Sequence, residues 1–204
     1  SAIANAFTNE DTSYSFNAPS SFSDADGDTL SYSATLSSGS ALPAWLSINT
    51  TTGVLSGTPT HDDVGPIDVK VTATDGDSAS VSDTYTLSIY NTNDPPTVSA
   101  IANASTNEDE AYFYDLKDNF ADVDIVFNDS LRYTATLDSG DALPAWLDLQ
   151  METGVLSGTP TNDDVGAIDV KVTATDKMNA SVSDTYTLTV ANTNDTPTVS
   201  AIAN

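Results

Sequence analysis

The chain has 204 residues, with 5 Lys and Arg against 30 Asp and Glu, so its formal net charge is −25 at pH 7. Nucleic acid and anionic membranes bind basic surfaces, and this charge argues against both as partners. Cysteine is absent, which excludes disulfides and thiolate metal sites, while the 39% of hydrophobic residues suffices for a folded core.

Short strands are predicted along the first hundred residues. Apolar and polar residues alternate through positions 30–36, 67–73 and 85–89, and turn residues such as those at 75–77 separate these runs. Alternation with a period of two is typical of strands with one buried face, and turns recurring about every ten positions favour a β-sandwich.

The same pattern then repeats. Residues 42–46 (LPAWL) recur 101 positions later, as do residues 52–60 (TGVLSGTPT). Residues 8–11 (TNED) recur after only 98 positions, so the second copy has three extra residues between Asp124 and Leu131. We therefore expect the chain to be a two-domain slice of a tandem array.

Two acidic, proline-containing segments mark the ends of the copies, at residues 91–96 (NTNDPP) and 192–197 (NTNDTP). Proline fixes one backbone dihedral and biases the preceding residue toward extended geometry, so each segment reads as a stiff linker. We expect domains at 1–94 and 95–195, with the start of a third repeat at 196–204.

Tryptophan follows proline and alanine once in each copy, as Trp45 and Trp146. An exposed indole can stack on a sugar ring, but a tryptophan just before a short strand is more often a core anchor. We predict that both are core anchors.

Paired aspartates precede a strand in each copy, Asp24 with Asp26 and Asp122 with Asp124. An EF-hand loop would need Gly and Glu where Thr29 and Thr35 stand, so this is not an EF-hand. Such a pair is by itself more often an exposed turn than a metal site.

The motif Leu-Pro-x-Trp-Leu, followed by Thr-Gly-x-Leu-Ser-Gly-Thr-Pro, resembles the cadherin-like domains of the bacterial and dystroglycan-type branch, and the resemblance covers both copies almost end to end. It implies an all-β chain of two tandem Greek-key β-sandwich domains of the Ig/cadherin-like type. Such domains are strung together with Ca²⁺ bound at their joints.

Carried over position by position, the resemblance implies three sets of metal ligands. The expected joint set comprises Glu10, Asp62, Asn91, Asn93, Asp94, Asp122, Asp124 and Asp176. The expected half-site at the upper end of the first domain comprises Asp24, Asp26 and Asp75. The expected half-site at the lower end of the second domain comprises Glu108, Asp163, Asn192 and Asp195. The sequence departs from the family pattern at His61-Asp62 and Asn162-Asp163, which lack its Arg and Glu, and at Asn91, which replaces an Asp.

The resemblance implies a Ca²⁺-binding structural and adhesive module of a large secreted or bacterial cell-surface protein, with neighbouring repeats of the same chain as partners. We expect no enzyme, because His61 is the sole histidine and there is no cysteine nucleophile or P-loop.

Other interpretations remain open at this point. A carbohydrate-binding module would bind a polysaccharide or cell-surface glycan through aromatics such as Tyr90, Tyr112 and Tyr114. Modules from neighbouring cells could self-associate in the presence of Ca²⁺. The carboxylates could also be solvated turn residues without a metal.

Overall fold

The computed structural model describes residues 2–198, and the chain divides between Thr92 and Asn93 into two compact units, unit 1 before this point and unit 2 after it. Most of the expected third repeat at 196–204 lies outside the described residues. Across residues 2–198, no helix combines the length and the apolar character needed to cross a membrane.

In the described part of unit 1, strands form two sheets. The strands are β1 (Ala6–Asn9), β2 (Tyr14–Asn17), β3 (Ser31–Leu36), β4 (Leu46–Ile48), β5 (Val54–Gly57), β6 (Gly65–Thr74) and β7 (Ser80–Tyr90). One sheet has the order β1-β7-β6-β3 and the other β2-β5-β4. The β1–β7 pair is parallel, whereas the remaining pairs are antiparallel.

Unit 2 repeats this arrangement. Its strands are β8 (Thr97–Val98), β9 (Ala104–Asn107), β10 (Tyr112–Asp115), β11 (Phe120–Ala121), β12 (Arg132–Leu137), β13 (Leu147–Gln150), β14 (Val155–Gly158), β15 (Gly166–Thr175) and β16 (Ser181–Ala191). The main sheets have the orders β9-β16-β15-β12 and β10-β14-β13, and β8 pairs with β11. Each unit is thus a Greek-key β-sandwich of the Ig/cadherin-like type, which confirms the predicted fold class.

The inner faces of the long strands fill each core. Along β6, Val69, Val71 and Ala73 are buried while Asp68 and Lys70 are exposed, as the period-two pattern predicts. Apolar side chains from both sheets meet between them, so burial of one face of each sheet is the main favourable contribution to folding.

The two tryptophans pack against these cores but remain partly exposed. The carbonyl oxygen of Trp45 would lie 1.7 Å from a Cβ atom at Gly57, and the carbonyl oxygen of Trp146 would lie 1.8 Å from one at Gly158. No side chain larger than hydrogen fits at either glycine, which explains the Leu-Ser-Gly sequence that ends β5 and β14.

The three extra residues of unit 2 extend the turn after β11 into a 3-10 helix, Val123–Phe127. Asp122 caps this helix by accepting a hydrogen bond from the Asp124 N–H, and the helix ends at Asn128, whose φ is 72°. In unit 1 the matching residues form a tight turn, in which Asp24 Oδ1 accepts from the N–H groups of Asp26 and Asp28 at 2.8 and 3.1 Å.

Candidate functional site

A buried glutamate follows the first strand of unit 1. Asn9 pairs with Tyr90 at the end of β7, so the next residue, Glu10, lies where β7 passes into the linker. The Glu10 N–H donates to the Tyr90 carbonyl at 3.0 Å, and Glu10 Oε1 accepts from the Thr92 N–H at 2.7 Å. This carboxylate, only 1% exposed, fixes the start of the linker against unit 1.

Unit 2 contains the same arrangement. Glu108 is also 1% exposed, and its Oε1 accepts from the Thr193 N–H at 2.7 Å. Among the described residues, the second oxygens of both glutamates are buried and accept no hydrogen bond. A buried, half-satisfied carboxylate is unfavourable unless a proton or a cation joins it.

The turn between β5 and β6 places His61, rather than the predicted ligand Asp62, beside Glu10. His61 Nδ1 lies 3.7 Å from Glu10 Oε2, an ion pair only when the imidazole is protonated, whereas Asp62 is exposed. In unit 2 the equivalent position is Asn162, which cannot carry a charge, and Asp163 is exposed.

The linker residues of unit 2 bond to the acidic loops of that unit. Asn93 Nδ2 donates to Asp176 Oδ2 at 2.8 Å, and the Asp94 N–H donates to Asp124 Oδ2 at 2.6 Å. Asp124 and Asp176 are only 2% and 5% exposed. At the start of the linker, the side-chain oxygen of Asn91 is buried and accepts no hydrogen bond from the residues described.

An acidic trio, Asp122, Asp124 and Asp129, forms at the inserted segment. One oxygen from each lies within 4.8 Å of the other two. Oδ2 of Asp122 and Oδ2 of Asp129 are buried and have no hydrogen-bond partner within residues 2–198. Burial, followed by the charges of Asp129, Asp124 and Asp176, raises the pKa of Asp122, although the hydrogen bond from the Asp124 N–H opposes this shift.

Sequence reasoning did not identify Asp129 as a candidate ligand. Its Oδ1 accepts from the N–H groups of Ser130 and Lys177, at 2.6 and 3.0 Å, and the Lys177 ammonium binds the Asn128 carbonyl. These contacts hold the end of the insertion beside Asp122. The available signal was the position of Asp129, which matches Asp28 of the Asp-Ala-Asp-Gly-Asp turn in unit 1.

Apart from Glu108, the residues of the expected half-sites are half-buried or exposed. Asp24 and Asp75 are half-buried and accept backbone hydrogen bonds, Asp75 from Asp77 and Ala79 at 2.9 Å each, and Asp26 is exposed. At the lower end of unit 2, Asn192 and Asp195 are also exposed.

The aromatics expected of a carbohydrate-binding surface do not form an exposed row. Tyr90 is 55% exposed and lies beside Phe7, with ring centroids 6.2 Å apart. Tyr112 is buried in the core, with its hydroxyl 3.3 Å from that of Tyr186, so its interpretation as a surface residue was wrong. Tyr114 is half-buried, and its hydroxyl donates to the Ala102 carbonyl at 3.0 Å.

The acidic trio fits a hard divalent cation. Its donors are carboxylate oxygens, which Ca²⁺ prefers, and Ca²⁺ binds oxygen at about 2.4 Å. Two ligands of one ion are therefore at most about 4.8 Å apart, the separation within which the trio's oxygens lie. Glu10 and Glu108 each offer one further buried oxygen of the same kind.

A family model described as "Putative Ig domain" matches residues 1–90 and again residues 95–191. No curated protein sequence matches the chain. Among solved structures, Drosophila N-cadherin EC1-4 aligns with a TM-score of 0.61 and 16% identity, over 95% of this chain and 48% of its own. The human Desmocollin-1 ectodomain aligns with a TM-score of 0.55 and 15% identity, over 93% and 39%.

An endo-fucoidan hydrolase from glycoside hydrolase family 107 aligns over 95% of this chain and 28% of its own, with 23% identity and a TM-score of 0.42. The chain thus spans less than half the length of each of these three structures, and its likeness to the two cadherin-type structures shows the fold alone.

Proposed function

We propose that this chain, which belongs to the Ig-domain family whose model matches both of its repeats, is a Ca²⁺-binding structural and adhesive module of a large extracellular repeat protein. Bound Ca²⁺ stiffens the linker between repeats, and the partners of each repeat are its neighbours in the same chain. Ig-like and cadherin-like domains usually lack enzymatic activity, and we expect none here.

The observation that carries this proposal is the burial of carboxylates with unsatisfied oxygens at the linker end of both repeats. Glu10 and Glu108 are each 1% exposed. His61 can neutralise Glu10 only when protonated, and Asn162 cannot neutralise Glu108 at all. A cation supplies the missing charge and the missing bond at both positions.

The charge of the whole chain favours the same conclusion. A net charge of −25 on 204 residues destabilises the folded state by self-repulsion, which bound cations relieve. At a Ca²⁺ concentration tenfold above the dissociation constant, each ion stabilises the folded protein by about 1.4 kcal/mol. For the secreted or cell-surface location that we propose, the expected dissociation constants are those of extracellular modules, about 0.1–1 mM.

The linker's own contacts support a mechanical role. The Thr92 N–H is held by Glu10 of unit 1, and the next residue, Asn93, is held by Asp176 of unit 2. Glu10 and Asp176 hold the linker through carboxylate oxygens, which are the ligands that Ca²⁺ prefers. Ions at these carboxylates would strengthen both restraints and limit rotation of the Thr92–Asn93 segment.

Calorimetric Ca²⁺ titration and small-angle X-ray scattering test the proposal together. In the calorimeter, we expect Ca²⁺ to bind and Mg²⁺ to bind far more weakly. In the scattering, we expect the conformers that fit the data to span a narrower range of radii of gyration in Ca²⁺ than in chelator. Asp124→Asn should weaken binding, whereas the exposed Asp26→Asn should change it much less. Absence of Ca²⁺ binding at about 10 mM, well above the expected range, would refute the proposal.

A further inference from the structure

A pocket of about 570 Å³ opens in unit 2. It is lined by the 3-10 helix Lys117–Asn119, by β11, by the inserted segment and by the turn between β13 and β14. The volume lies within the roughly 300–1,000 Å³ typical of small-molecule sites.

The floor of the pocket is apolar. Phe120 and Tyr133 pack edge to face there, with ring centroids 5.6 Å apart and planes at 70°. Leu131 lies beside them, and Ile125, which is 51% exposed, contributes a wall from the insertion. Such a surface favours an apolar body.

The equivalent position in unit 1 is covered. The ring of Pro19 lies on Gly53, with its Cγ only 2.5 Å from the place a Cβ atom would take. At Gly154, the matching glycine of unit 2, the three nearest atoms belong to Tyr133, at 3.3–3.4 Å. Lys117 stands where unit 1 has Pro19, 98 positions earlier, so a single substitution removes the ring that covers this site.

The rim of the pocket carries charged residues that unit 1 lacks. Asp118 and Glu152 line the pocket in unit 2, where the matching residues of unit 1 are Ser20 and Thr51. Against them stands one lining cation, Lys117. Asp122 and Asp129 also line it, so carboxylates outnumber the ammonium even when these two bind a metal. The local potential disfavours anions and favours a cationic group.

We propose that this pocket binds a small organic cation, an amine carrying an apolar body. The body rests on Phe120, Leu131 and Tyr133, and the ammonium lies at the rim near Asp118 and Glu152. The proposal is independent of the metal function, because neither rim carboxylate belongs to the Ca²⁺ ligand sets.

Three probes of similar shape and different charge test it on the full chain: phenethylamine, phenethyl alcohol and phenylacetate. Binding is followed by nitrogen–proton correlation spectra, in which the amides of Phe120 and Tyr133 report on the pocket. The matching amides of Phe22 and Tyr32 in unit 1 are an internal control. We expect shifts in unit 2 alone, with a dissociation constant for the amine about tenfold below that of the carboxylate.

The titration is run both in Ca²⁺ and in chelator, and the preference for the amine should persist in both. A preference seen only in chelator would overturn the proposal, since it would come from Asp122 and Asp129. Equal binding of phenylacetate, equal shifts in unit 1, or no shift at about 10 mM amine would each overturn it as well.

Two variants replace pocket residues of unit 2 with the matching residues of unit 1. In Ca²⁺, where Asp122 and Asp129 hold the metal, Asp118→Ser with Glu152→Thr should abolish the preference for the amine and leave binding of the alcohol unchanged. Lys117→Pro should close the pocket to all three probes. If Lys117→Pro disturbs folding, seen as loss of dispersed unit 2 amides, the double variant alone decides, and retention of the amine preference in Ca²⁺ refutes the assignment.

Discussion

Replacing Asp129 with asparagine should stabilise unit 2 in chelator, and Ca²⁺ should remove most or all of that gain. Asn keeps an oxygen for the Ser130 and Lys177 N–H groups but removes one charge from the trio. The oxygens of Asp122, Asp124 and Asp129 lie within 4.8 Å of one another. At that separation and an effective dielectric of about 40, each pair of carboxylates repels by roughly 1–2 kcal/mol.

In chelator, Asp129→Asn should therefore stabilise unit 2 by about 1–2 kcal/mol after allowance for solvent and salt. For a domain of this size, that raises the melting temperature by roughly 5–10 °C. In Ca²⁺ the same change removes a charged ligand, so the variant loses up to about 1.4 kcal/mol of Ca²⁺-dependent stabilisation at tenfold excess of Ca²⁺ over the dissociation constant, which offsets most or all of its gain in chelator.

Thermal unfolding followed by tryptophan fluorescence measures both effects. In a Trp45→Phe background, Trp146 reports on unit 2 alone. Asp28→Asn, followed through Trp45 in a Trp146→Phe background, is the matched control, because Asp28 holds the equivalent position in unit 1 and is exposed. The reasoning would be refuted by a melting temperature that falls equally in chelator and in Ca²⁺, since Asp129 would then act only through its backbone contacts.

Three further outcomes follow from single contacts. Glu108→Gln should reduce the Ca²⁺-induced rise in the melting temperature of unit 2, whereas Glu110→Gln, an exposed neighbour, should not; equal effects would remove Glu108 from the ligand set. The pKa of Asp122 is raised in the folded state, so in chelator its contribution to folding stability is fully present at a pH below the ordinary pKa of 3.8. This contribution is lost as the pH rises through the pKa of the folded state. Melting temperatures measured in chelator across this range should fall with rising pH by more in the parent than in Asp122→Asn. Gly57→Ala should destabilise unit 1 by more than about 3 kcal/mol in urea unfolding, because its Cβ would meet the Trp45 carbonyl, whereas Gly76→Ala, with open space around it, should be nearly neutral.

The fold could be predicted from the sequence because each strand has a clear inner face. Val69 and Val71 alternate with exposed polar residues, and the two copies carry the same alternation, so each supports the interpretation of the other. The close approach of the Trp45 carbonyl to Gly57 could not be predicted, because it depends on the pairing of β4 with β5. Nor could the burial of Tyr112, which depends on its hydroxyl meeting Tyr186 on the opposite sheet.

The candidate site was predictable only in part for a similar reason. The positions of Glu10 and Asp124 follow from strand ends, and strand ends gather at the poles of a sandwich. Asp62 is exposed because the 3-10 turn His61–Asp63 directs its capping bonds through Asp63, whose Oδ2 accepts from Thr60 N and Oγ1 at 2.9 Å each. The turn geometry has a sequence signal that could have found it, the Thr-x-x-Asp capping box of residues 60–63, whereas the fold of the insertion is not encoded in a motif.

The three inserted residues contribute to two features that unit 1 lacks, the acidic trio and the Ile125 wall of the pocket. Without residues 125–127, the loop would read Asp-Val-Asp-Asn-Asp, against Asp-Ala-Asp-Gly-Asp in unit 1. Asn128 already has a φ of 72°, close to the 82° of Gly27, so the shortened loop can adopt the tight turn of unit 1 without new strain.

Deleting 125–127 should therefore leave unit 2 folded while it removes the Ile125 wall of the pocket and separates Asp129 from Asp122 and Asp124. We expect weaker amine binding and weaker Ca²⁺ binding in the same variant, measured by the correlation spectra and by calorimetry. Unchanged Ca²⁺ binding after the deletion would show that the insertion does not build the trio's metal site.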